Sequence, residues 1–476
     1  MRTLVWFRGK DLRVADHTPL IDAAKAGEVV PLFVVDPYFF APARARELPH
    51  RMQFLLASIE ALGESIEALG SRLLVVSGKS VEIVPRVARA LKVDRVVAHR
   101  WSEPFGVERD RRVTLALGEV PFVLYEGETL AAPGEILTGA GQPFSVFTPF
   151  ARAFAKTVTI DRPKRAPRSL PPLPRVLPAE VRALEDRVPS LRALGLEHNP
   201  RLVPGGERAA RERLSRFLRG PASRYHELRD RLDLRGTSRL SQDLKFGTLS
   251  ARAVWHAAKD ALEDHPKAWR SFSNELVWRE LAYDVLRSRP HVLERPFRSE
   301  WARFPWRRDE KGWRAWADGT TGYPVVDAAA RQLLAEGFVP NRARMIAASF
   351  LCKHLLVDFR RGEAHYMKFL TDGDWANNDL GWQWSAGCGV DAQPWFRVFN
   401  PITQGERFDP EGAWVRAWVP ELAKLPARLI HRPWEAPAAE LAKAGVALGR
   451  TYPRPVVDHA LGRGRFLGTA QGFLRS

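Results

Sequence analysis

Residues 372–404 read DGDWANNDLGWQWSAGCGVDAQPWFRVFNPITQ, and few of them are aliphatic. The stretch combines two carboxylates, two amides and four indoles: Asp372 and Asp374, Asn377 and Asn378, and Trp375, Trp382, Trp384 and Trp395. Protein interiors accept amides and indole N–H groups where each finds a hydrogen-bond partner. Their density here predicts a lined cavity that holds a flat ligand with hydrogen-bonding edges.

The chain has 476 residues, which fits two or three domains, and carries 73 Lys and Arg against 55 Asp and Glu. The formal charge of +18 favours a polyanionic partner, because cationic side chains neutralise phosphates and release counterions. Nucleic acid is the leading candidate. A generally basic proteome is the alternative that charge alone leaves open.

The only cysteines are Cys352 and Cys388, and neither belongs to a Cys-x-x-Cys pattern. We therefore expect no structural zinc, iron–sulfur cluster or disulfide framework. The N-terminal apolar run is too short for a signal peptide, and no segment approaches the ~20 apolar residues of a membrane span. These features predict a cytoplasmic protein that does not enter a membrane.

Short apolar runs alternate with amphipathic stretches in the N-terminal part of the chain. The runs, which predict buried parallel strands, are Leu4–Phe7, Val29–Val35, Leu73–Val76, Val96–Ala98 and Phe122–Leu124. Helical patterns lie between them at Arg51–Leu69, Val81–Leu91 and Glu103–Leu117. This alternation predicts an α/β domain with a doubly wound parallel sheet.

The turn after the first strand, residues 8–13, reads RGKDLR and lacks the G-x-G-x-x-G pattern of dinucleotide binding. Open sheets still bind ligands at the carboxyl ends of their strands. This rule makes four residues candidate wall positions: Asp36, Ser77, Arg100 and Trp101. Loop packing is the alternative role for each of them.

Proline marks the next boundary, because residues 161–178 contain six prolines and no periodicity. Such a segment is typical of an extended connector. Beyond it, strand signals are missing and helical periodicity recurs at 207–218, 250–262, 267–288, 326–336, 342–357 and 363–370. We therefore expect an α/β domain at 1–130, an interdomain connector at 131–206 and an all-α domain at 207–476.

A hydroxyl-rich turn, Thr237-Ser-Arg-Leu-Ser241, follows Tyr225 in the helical part. Hydroxyls and amides at such a turn can take a phosphate, although a plain helix cap is the alternative. In the next helical stretch Glu275, Trp278 and Arg279 fall on adjoining faces. A carboxylate beside an indole can read a base, and a salt-bridged surface helix is the alternative.

The helix that follows Pro340 places Asn341 and Met345 on one side, at positions i and i+4. Arg344 is turned away from that side and can pair with a carboxylate such as Asp372. One helix face is thus predicted to meet a ligand, with structural ion pairing as the alternative role for Arg344.

Several multi-residue motifs occur in one order along the chain. They are LVWFRGKDLRVADHTPL (4–20), TSRLS (237–241), NELVWRE (274–280), TGYPVVDAA (321–329), NRARMIAASFL (341–351), D-G-D…N…W-Q-W (372–384) and FNPITQGERFD (399–409). With these motifs the chain resembles the photolyase/cryptochrome flavoprotein family, most closely its class I bacterial cyclobutane pyrimidine dimer photolyases. Chance agreement of this many motifs in order is negligible.

The resemblance implies an α/β antenna-type domain and an all-α C-terminal domain that binds FAD and DNA. The residues implied around the FAD phosphates are Tyr225, Thr237, Ser238, Arg239, Leu240 and Ser241. Asp372, Gly373 and Asp374 would serve its ribose and ring edges, and Arg344 would hold Asp372. Asn378 would face flavin N5, where a neutral amide supports both the neutral and the anionic reduced states.

The resemblance also implies a substrate, a cyclobutane pyrimidine dimer in UV-damaged DNA that is flipped out between Trp278 and Trp384. Glu275 and Asn341 would hydrogen-bond the base edges beside Met345. The DNA-backbone contacts would be Arg229, Arg342, Arg397 and Gln404. Excited, fully reduced FAD would give the dimer an electron, the ring would open and the electron would return, in a monomer with no metal and no obligate protein partner.

The chain departs from the family pattern in two places. The usual relay of three tryptophans maps to Trp382, residue 359 and Trp306, but residue 359 is Phe. We expect Phe359 to interrupt photoreduction unless Trp375, Trp395 or Tyr366 provides a detour. A second antenna chromophore of folate or deazaflavin type is implied, yet Glu108 follows Val107 and not the Asn expected there, which leaves its identity open.

Three other functions compete with dimer repair. A cryptochrome-type blue-light photoreceptor without repair activity is the main alternative, but the chain stops soon after the last family-like segment and retains Asn378. Repair of the (6-4) photoproduct would require histidines at Asn341 and Met345. A flavoprotein electron carrier explains neither the +18 charge nor the pair Trp278 and Trp384.

Overall fold

The computed structural model describes residues 1–475. The strands are β1 (Arg2–Phe7), β2 (Glu28–Val35), β3 (Leu74–Ser77), β4 (Arg95–His99) and β5 (Phe122–Tyr125). The helices are α1 (Thr18–Ala26), α2 (Pro37–Phe40), α3 (Pro42–Arg46), α4 (Pro49–Ala68), α5 (Ser80–Ala90), α6 (Pro104–Leu117), α7 (Phe147–Thr157), α8 (Ala179–Arg182), α9 (Glu207–Arg219), α10 (Tyr225–Leu228), α11 (Ser241–Phe246), α12 (Ala251–Ala261), α13 (Pro266–Ser288), α14 (Glu310–Ala317), α15 (Pro324–Glu336), α16 (Asn341–Ser349), α17 (Phe359–Phe369), α18 (Trp375–Ala386), α19 (Pro401–Phe408), α20 (Ala413–Trp418), α21 (Ala427–Ile430), α22 (Ala438–Ala444) and α23 (His459–Arg475).

The five strands form one parallel sheet in the order β3-β2-β1-β4-β5. The chain winds outward from β1 to β3 and then returns to the other side of β1 with β4, which is the doubly wound arrangement. Each strand lies within two residues of its predicted bounds. The predicted α/β fold is therefore confirmed, although β5, at the edge of the sheet, is not buried as expected: its four residues are half-buried or exposed.

Alternate residues of β1 supply the two faces of the sheet. Val5 and Phe7 belong to one buried cluster, and Leu4 and Trp6 belong to another. Successive side chains of a strand point to opposite faces, so a short apolar run contributes to both clusters. The continuous apolar character of β1 follows from this two-sided burial.

Residue contacts divide the described residues into two units. The first comprises Met1–Ser223, Ser238–Pro290 and Thr371–Ala376, and the second comprises Arg224–Thr237, His291–Leu370 and the residues from Asn377 onward. The predicted boundaries at 131 and 207 remain a proposal about separately folding domains. The segment 131–206 is less extended than expected, since it contains α7 and α8.

The second unit is helical, as predicted, but one helix ends early. The periodic stretch 342–357 forms α16 and then a π-helical turn, Phe350–His354. Lys353 in this turn is buried, and its Nζ donates to the carbonyl oxygens of Trp395 at 3.3 Å and Arg397 at 2.8 Å. These bonds to a distant segment compete with regular helix continuation.

No helix among residues 1–475 is long and apolar enough to cross a membrane.

Candidate functional site

The D-G-D loop, residues 372–374, is fixed within the first unit by a buried cation. The guanidinium of Arg51 lies so close to this loop that a Cβ at Gly373 would overlap its Nη2 atom. Burial lowers the pKa of Arg51 to about 10, although the charges of Asp372 and Asp374 oppose that shift. The loop therefore requires glycine at its centre, and both flanking carboxylates are buried.

A second buried cation, Lys10, supports Asp374 from the turn after β1. Its Nζ pairs with the carboxylates of Glu103 and Glu128 and lies 3.9 Å from Asp374 Oδ2. The Tyr283 hydroxyl donates to the same Asp374 oxygen at 2.6 Å. Burial lowers the pKa of Lys10, but the three carboxylates raise it by more, so the amine stays charged. Sequence reasoning missed this cluster, whose only sequence signal is a lysine in the turn after a buried strand.

The hydroxyl-rich turn at 237–241 lies where the two units divide along the chain. Thr237 belongs to the second unit, whereas Ser238, Arg239, Leu240 and Ser241 belong to the first. Arg239 has a φ of +51°, a left-handed conformation that few non-glycine residues adopt. Thr237 and Ser238 are half-buried and Ser241 is exposed. These accessible hydroxyls suit the predicted phosphate contacts.

In the second unit, α18 presents the amide of Asn378. This side chain is buried, and its Nδ2 donates to the carbonyl oxygen of Glu363 at 3.1 Å, which fixes the amide plane. Burial and the neighbouring Asp379 raise the pKa of the Glu363 carboxyl to about 8. Burial likewise raises the pKa of Asp379 to about 7. Burial thus reduces the negative charge near Asn378 below that of two fully ionised carboxylates.

Helix α13 carries three predicted site residues. Glu275 and Trp278 are half-buried, and Phe147 stacks on the Trp278 indole with ring centroids 3.9 Å apart. Arg279 is buried, with its guanidinium 4.6 Å from the centre of the Tyr283 ring. Arg279 is thus part of the packing, whereas Glu275 and Trp278 remain accessible to a ligand.

Helix α16 confirms that Asn341 and Met345 share one side, since Asn341 Nδ2 lies 3.8 Å from Met345 Sδ. Arg344 Nε donates to the carbonyl oxygen of Val339 at 2.8 Å. Its pairing with Asp372 stays a prediction.

Arg342 forms an ion pair with Asp230 at 2.9 Å, so it is less available to DNA than the sequence suggested.

The other predicted DNA contacts differ in their surroundings. Arg397 is exposed, and Trp384 is half-buried on α18. The guanidinium of Arg229 lies 5.8 Å from the centre of the Tyr225 ring. Gln404 has a buried Oε1 atom with no hydrogen-bond partner among residues 1–475. A water molecule can satisfy such an acceptor, whereas a DNA phosphate, which has no proton to donate, cannot.

The first unit also contains a cavity lined by planar rings and cations. The planar residues include Trp6, Tyr38, Phe39, Trp101 and Phe105, the cations include Arg8, Lys10, Arg44, Arg51 and Arg109, and the carboxylates are Asp36 and Glu103. Tyr38 and Phe105 stack with centroids 4.2 Å apart. Such walls fit a flat, anionic chromophore. Asp36 and Trp101 line the cavity as expected from the sheet rule.

Two of the four candidate wall positions, and Glu108, do not line this cavity. Ser77 does not line it, because its hydroxyl donates to Asp186, and Arg100 pairs with Glu126 at 2.6 Å. Glu108, the expected antenna contact, lies on the exposed side of α6 and pairs with Arg111 at 2.8 Å. Neighbouring positions on the same helix, Phe105 and Arg109, form the wall.

One buried cluster of the first unit, Asp11, His17 and His99, has the residue types of a metal site. However, Nδ1 of His17 accepts the backbone N–H of Leu20 at 3.0 Å. Neutral His17 must then carry its proton on Nε2, the atom that lies 3.6 Å from Asp11 Oδ2. A protonated ring nitrogen cannot bind a metal, so Nε2 of His17 is unsuited to be a ligand, and at 3.6 Å from Asp11 it lies beyond ordinary hydrogen-bond distance.

Comparisons with known proteins place these features in a family. Residues 3–173 match the family model for DNA photolyase, and residues 272–471 match that for the FAD binding domain of DNA photolyase. The deoxyribodipyrimidine photo-lyase of Agrobacterium fabrum is 39% identical over 469 residues, which cover 98% of this chain and 96% of that protein.

Solved structures agree with these matches. A bacterial class III photolyase from Agrobacterium tumefaciens has a TM-score of 0.92 and 38% identity, covering 100% of this chain and 98% of the other. An archaeal photolyase from Sulfolobus tokodaii with two FAD molecules has a TM-score of 0.83 and 29% identity, covering 99% and 100%.

The similarity extends over both the parallel sheet and the helical part that contains Asn378 and Trp382. It is therefore not limited to an α/β layer that many unrelated proteins share. The FAD binding match also covers the buried D-G-D loop, which the opening stretch of the sequence marked as a ligand site. The chain belongs to the photolyase/cryptochrome family of FAD-binding proteins.

Proposed function

We propose that this protein repairs cyclobutane pyrimidine dimers in UV-damaged DNA, with light as the energy source. The observation that carries the proposal is the accessible pair Glu275 and Trp278 on α13, with Trp278 held flat against Phe147. Near full-length identity of 39% to a deoxyribodipyrimidine photo-lyase supports it. The enzyme class is a carbon–carbon lyase.

FAD, in its reduced and photoexcited form, supplies the electron that opens the cyclobutane ring and takes it back afterwards. In this proposal Tyr225, Thr237, Ser238, Arg239, Leu240 and Ser241 hold the phosphates, and Asp372, Gly373 and Asp374 hold the ribose and ring edges. Asn378 would hydrogen-bond flavin N5. The rigid support of these groups by Arg51, Lys10 and the Glu363 carbonyl fits a preorganised cofactor site.

Trp278 and Trp384 receive the extruded dimer in the proposed mechanism. Extrusion costs least for a damaged base pair, which gives lesion specificity. Glu275 and Asn341 hydrogen-bond the base edges, and Met345 packs beside them. The exposed Arg397 contacts a phosphate, with Arg229, Arg342 and Gln404 as further backbone contacts. The +18 charge supports a DNA partner.

The cavity of the first unit is the proposed site of a second, light-harvesting chromophore. Its stacked rings and its cations favour a planar group that bears negative charge. Desolvation and the charges of Arg51 and Lys10 lower the pKa of the Lys245 amine well below its usual range, so the arginines of the lining are the cations that would meet such a charge. We further propose a monomer without an obligate protein partner, in the cytoplasm, where the two buried thiols would stay reduced.

The test uses chemically reduced, FAD-loaded protein and oligonucleotides with one cyclobutane thymine dimer, one (6-4) photoproduct or no lesion. Each mixture is kept dark or exposed to blue light, and restored thymines are quantified by chromatography. We expect restoration only for the cyclobutane dimer and only in light. Lesion binding without restoration would favour the photoreceptor function, and restoration in the dark would overturn the mechanism.

A further inference from the structure

Phe359 separates Trp306 from the rest of the second unit's indoles. The Trp306 ring contacts Phe359, with centroids 6.4 Å apart, and Phe304, with centroids 4.4 Å apart. Among residues 1–475 these are its ring contacts. A phenyl ring is much harder to oxidise than an indole, so neither neighbour can pass an oxidising equivalent to Trp306. The route that the family pattern suggested ends at Phe359.

Another set of rings connects Trp382 to solvent. The Trp382 and Trp316 centroids are 5.8 Å apart, with 72° between their planes. Trp316 in turn stacks on Trp313, with centroids 5.5 Å apart and 26° between planes. Trp382 and Trp316 are 3% and 2% exposed, whereas Trp313 is half-buried at the surface. The three indoles lie in one unit and lead from its core to its surface.

Packing fixes the two inner rings of this path. The Trp382 ring lies against α17 where Gly362 has no side chain, since a Cβ there would overlap the Trp382 ring atoms. Trp316 Nε1 donates to the carbonyl oxygen of Ala347 at 2.9 Å. The hydrogen bond of Trp316 and the close packing of Trp382 on Gly362 favour one orientation for each ring and so maintain the contact between the two indoles.

Tyr366 also contacts Trp382, with centroids 5.1 Å apart, but its phenol is poorly suited to the relay. Oxidation of a phenol near neutral pH requires loss of its proton. The Tyr366 hydroxyl is buried and has no hydrogen-bond partner among residues 1–475 that could accept one. An indole can be oxidised without immediate proton loss, which favours Trp316 over Tyr366.

The charges around Trp313 are balanced. The Arg361 guanidinium lies 4.4 Å from the ring centre and would oppose a positive charge on the indole. Glu310 neutralises it through two bonds, at 2.6 and 3.1 Å. His365 contacts both Trp313 and Trp316, and burial lowers its pKa to about 4, so it is uncharged at neutral pH.

We propose that Trp382, Trp316 and Trp313 form the electron relay that replaces the route interrupted at Phe359. The proposal rests on the proposed flavin-dependent function. Trp382 gives one electron to photoexcited oxidised flavin, Trp316 restores Trp382, Trp313 restores Trp316, and a thiol in solution restores Trp313. Two such passages deliver the two electrons that separate oxidised from fully reduced flavin, and water supplies the protons.

The test compares wild type, Trp382→Phe, Trp316→Phe and Trp313→Phe as FAD-loaded proteins under blue light with a thiol. Loss of the oxidised-flavin absorbance gives the photoreduction rate, and transient absorption gives the lifetime of the tryptophan radical. We expect Trp316→Phe to fall to the rate of Trp382→Phe. In Trp313→Phe we expect a shorter radical lifetime, because the charge cannot reach the surface. Equal rates and lifetimes in wild type and Trp316→Phe would overturn the proposal.

Two further variants test whether a slower photoreduction comes from loss of the relay and not from damage to the fold. Trp414→Phe removes another buried tryptophan of the same unit whose Nε1 is hydrogen-bonded, to Gln332 at 3.0 Å, and it should photoreduce like wild type. Phe359→Trp in the Trp316→Phe background should restore photoreduction through Trp306. Repair by chemically reduced protein is measured in a separate experiment, and no repair by the wild type would refute the proposed function. The relay is tested independently of repair, by the lifetime of the tryptophan radical.

Discussion

The phenyl ring of Phe147 lies parallel to the indole of Trp278, with centroids 3.9 Å apart and 4° between the planes. Phe147 is buried and opens α7, in the segment that the sequence marked as a connector. One face of Trp278 is thus covered by protein while the side chain stays half-buried. In the proposed function, this arrangement would fix the plane on which a flipped-out pyrimidine dimer stacks.

Replacing Trp278 with Ala should weaken binding of dimer-containing DNA by about 1–3 kcal/mol, the range found for stacking of a base on an aromatic side chain. Phe147→Leu should weaken it by less, because the indole remains but loses its fixed plane. Affinity is measured by fluorescence anisotropy with a labelled oligonucleotide, with and without the dimer.

Phe154→Leu is the matched control for Phe147→Leu, since Phe154 is a buried phenylalanine of the same helix that packs on Phe150 and Trp255. It should leave lesion binding unchanged. Flavin content should stay constant in all three variants. A Phe147→Leu protein that binds the dimer like wild type would show that the stack has no role in substrate binding.

Arg397 and Arg342 should respond differently to substitution. Arg397 is exposed, so Arg397→Ala should make the slope of log affinity against log salt less negative by about one. Arg342 already pairs with Asp230, and its loss should change the slope by less. The measurement is the DNA affinity of wild type and of both variants at several salt concentrations, from low to moderate. Identical slopes for Arg397→Ala and wild type would show that Arg397 does not contact a DNA phosphate.

Removal of Lys10 should destabilise the first unit strongly. Lys10→Met leaves the buried carboxylates of Glu103 and Glu128 without their cation, and breaking a buried pair costs about 3–5 kcal/mol. Lys79→Met is the control, because Lys79 pairs with Glu82 at the exposed surface, where such pairs contribute little. Denaturant unfolding gives the free energy of unfolding of both variants. Equal values would show that Lys10 does not stabilise the buried carboxylates.

The second unit should lose stability in mild acid through His365. Burial and the charge of Lys368 lower the pKa of His365 to about 4, whereas an unfolded histidine titrates near ~6.5. The unfolded state therefore binds a proton first as the pH falls, and stability is lost between those two values. His365→Gln should lose roughly 2 kcal/mol less than wild type between pH 7.5 and 5. Parallel stability curves for both proteins would place the folded pKa of His365 near its ordinary value.

Much of the fold follows from local sequence. Continuous apolar runs such as Leu4–Phe7 are buried on both sheet faces, so their type and bounds were predictable. The early end of α16 was not, because the bonds of Lys353 reach the carbonyl groups of Trp395 and Arg397. Helical periodicity carries no information about such distant partners.

Site residues could be predicted where they lie within a few positions of one another in the sequence, as in the D-G-D loop or the pair Asn341 and Met345. It was not predictable where distant residues meet. Lys10 meets Glu103 and Glu128 only in the folded protein. Likewise Trp316, and not the sequence neighbours Trp375 or Trp395, is the indole in contact with Trp382.

In the proposed mechanism, light opens the dimer without net oxidation or reduction. The most direct measurement counts dimers repaired per electron stored, in protein reduced once, freed of excess reductant and illuminated anaerobically with an excess of dimer-containing DNA. We expect many dimers restored per flavin, with the flavin still reduced at the end, because the electron returns after each ring opening. Repair that stops at one dimer per flavin, with oxidised flavin accumulating in step, would contradict the return of the electron and the lyase mechanism with it.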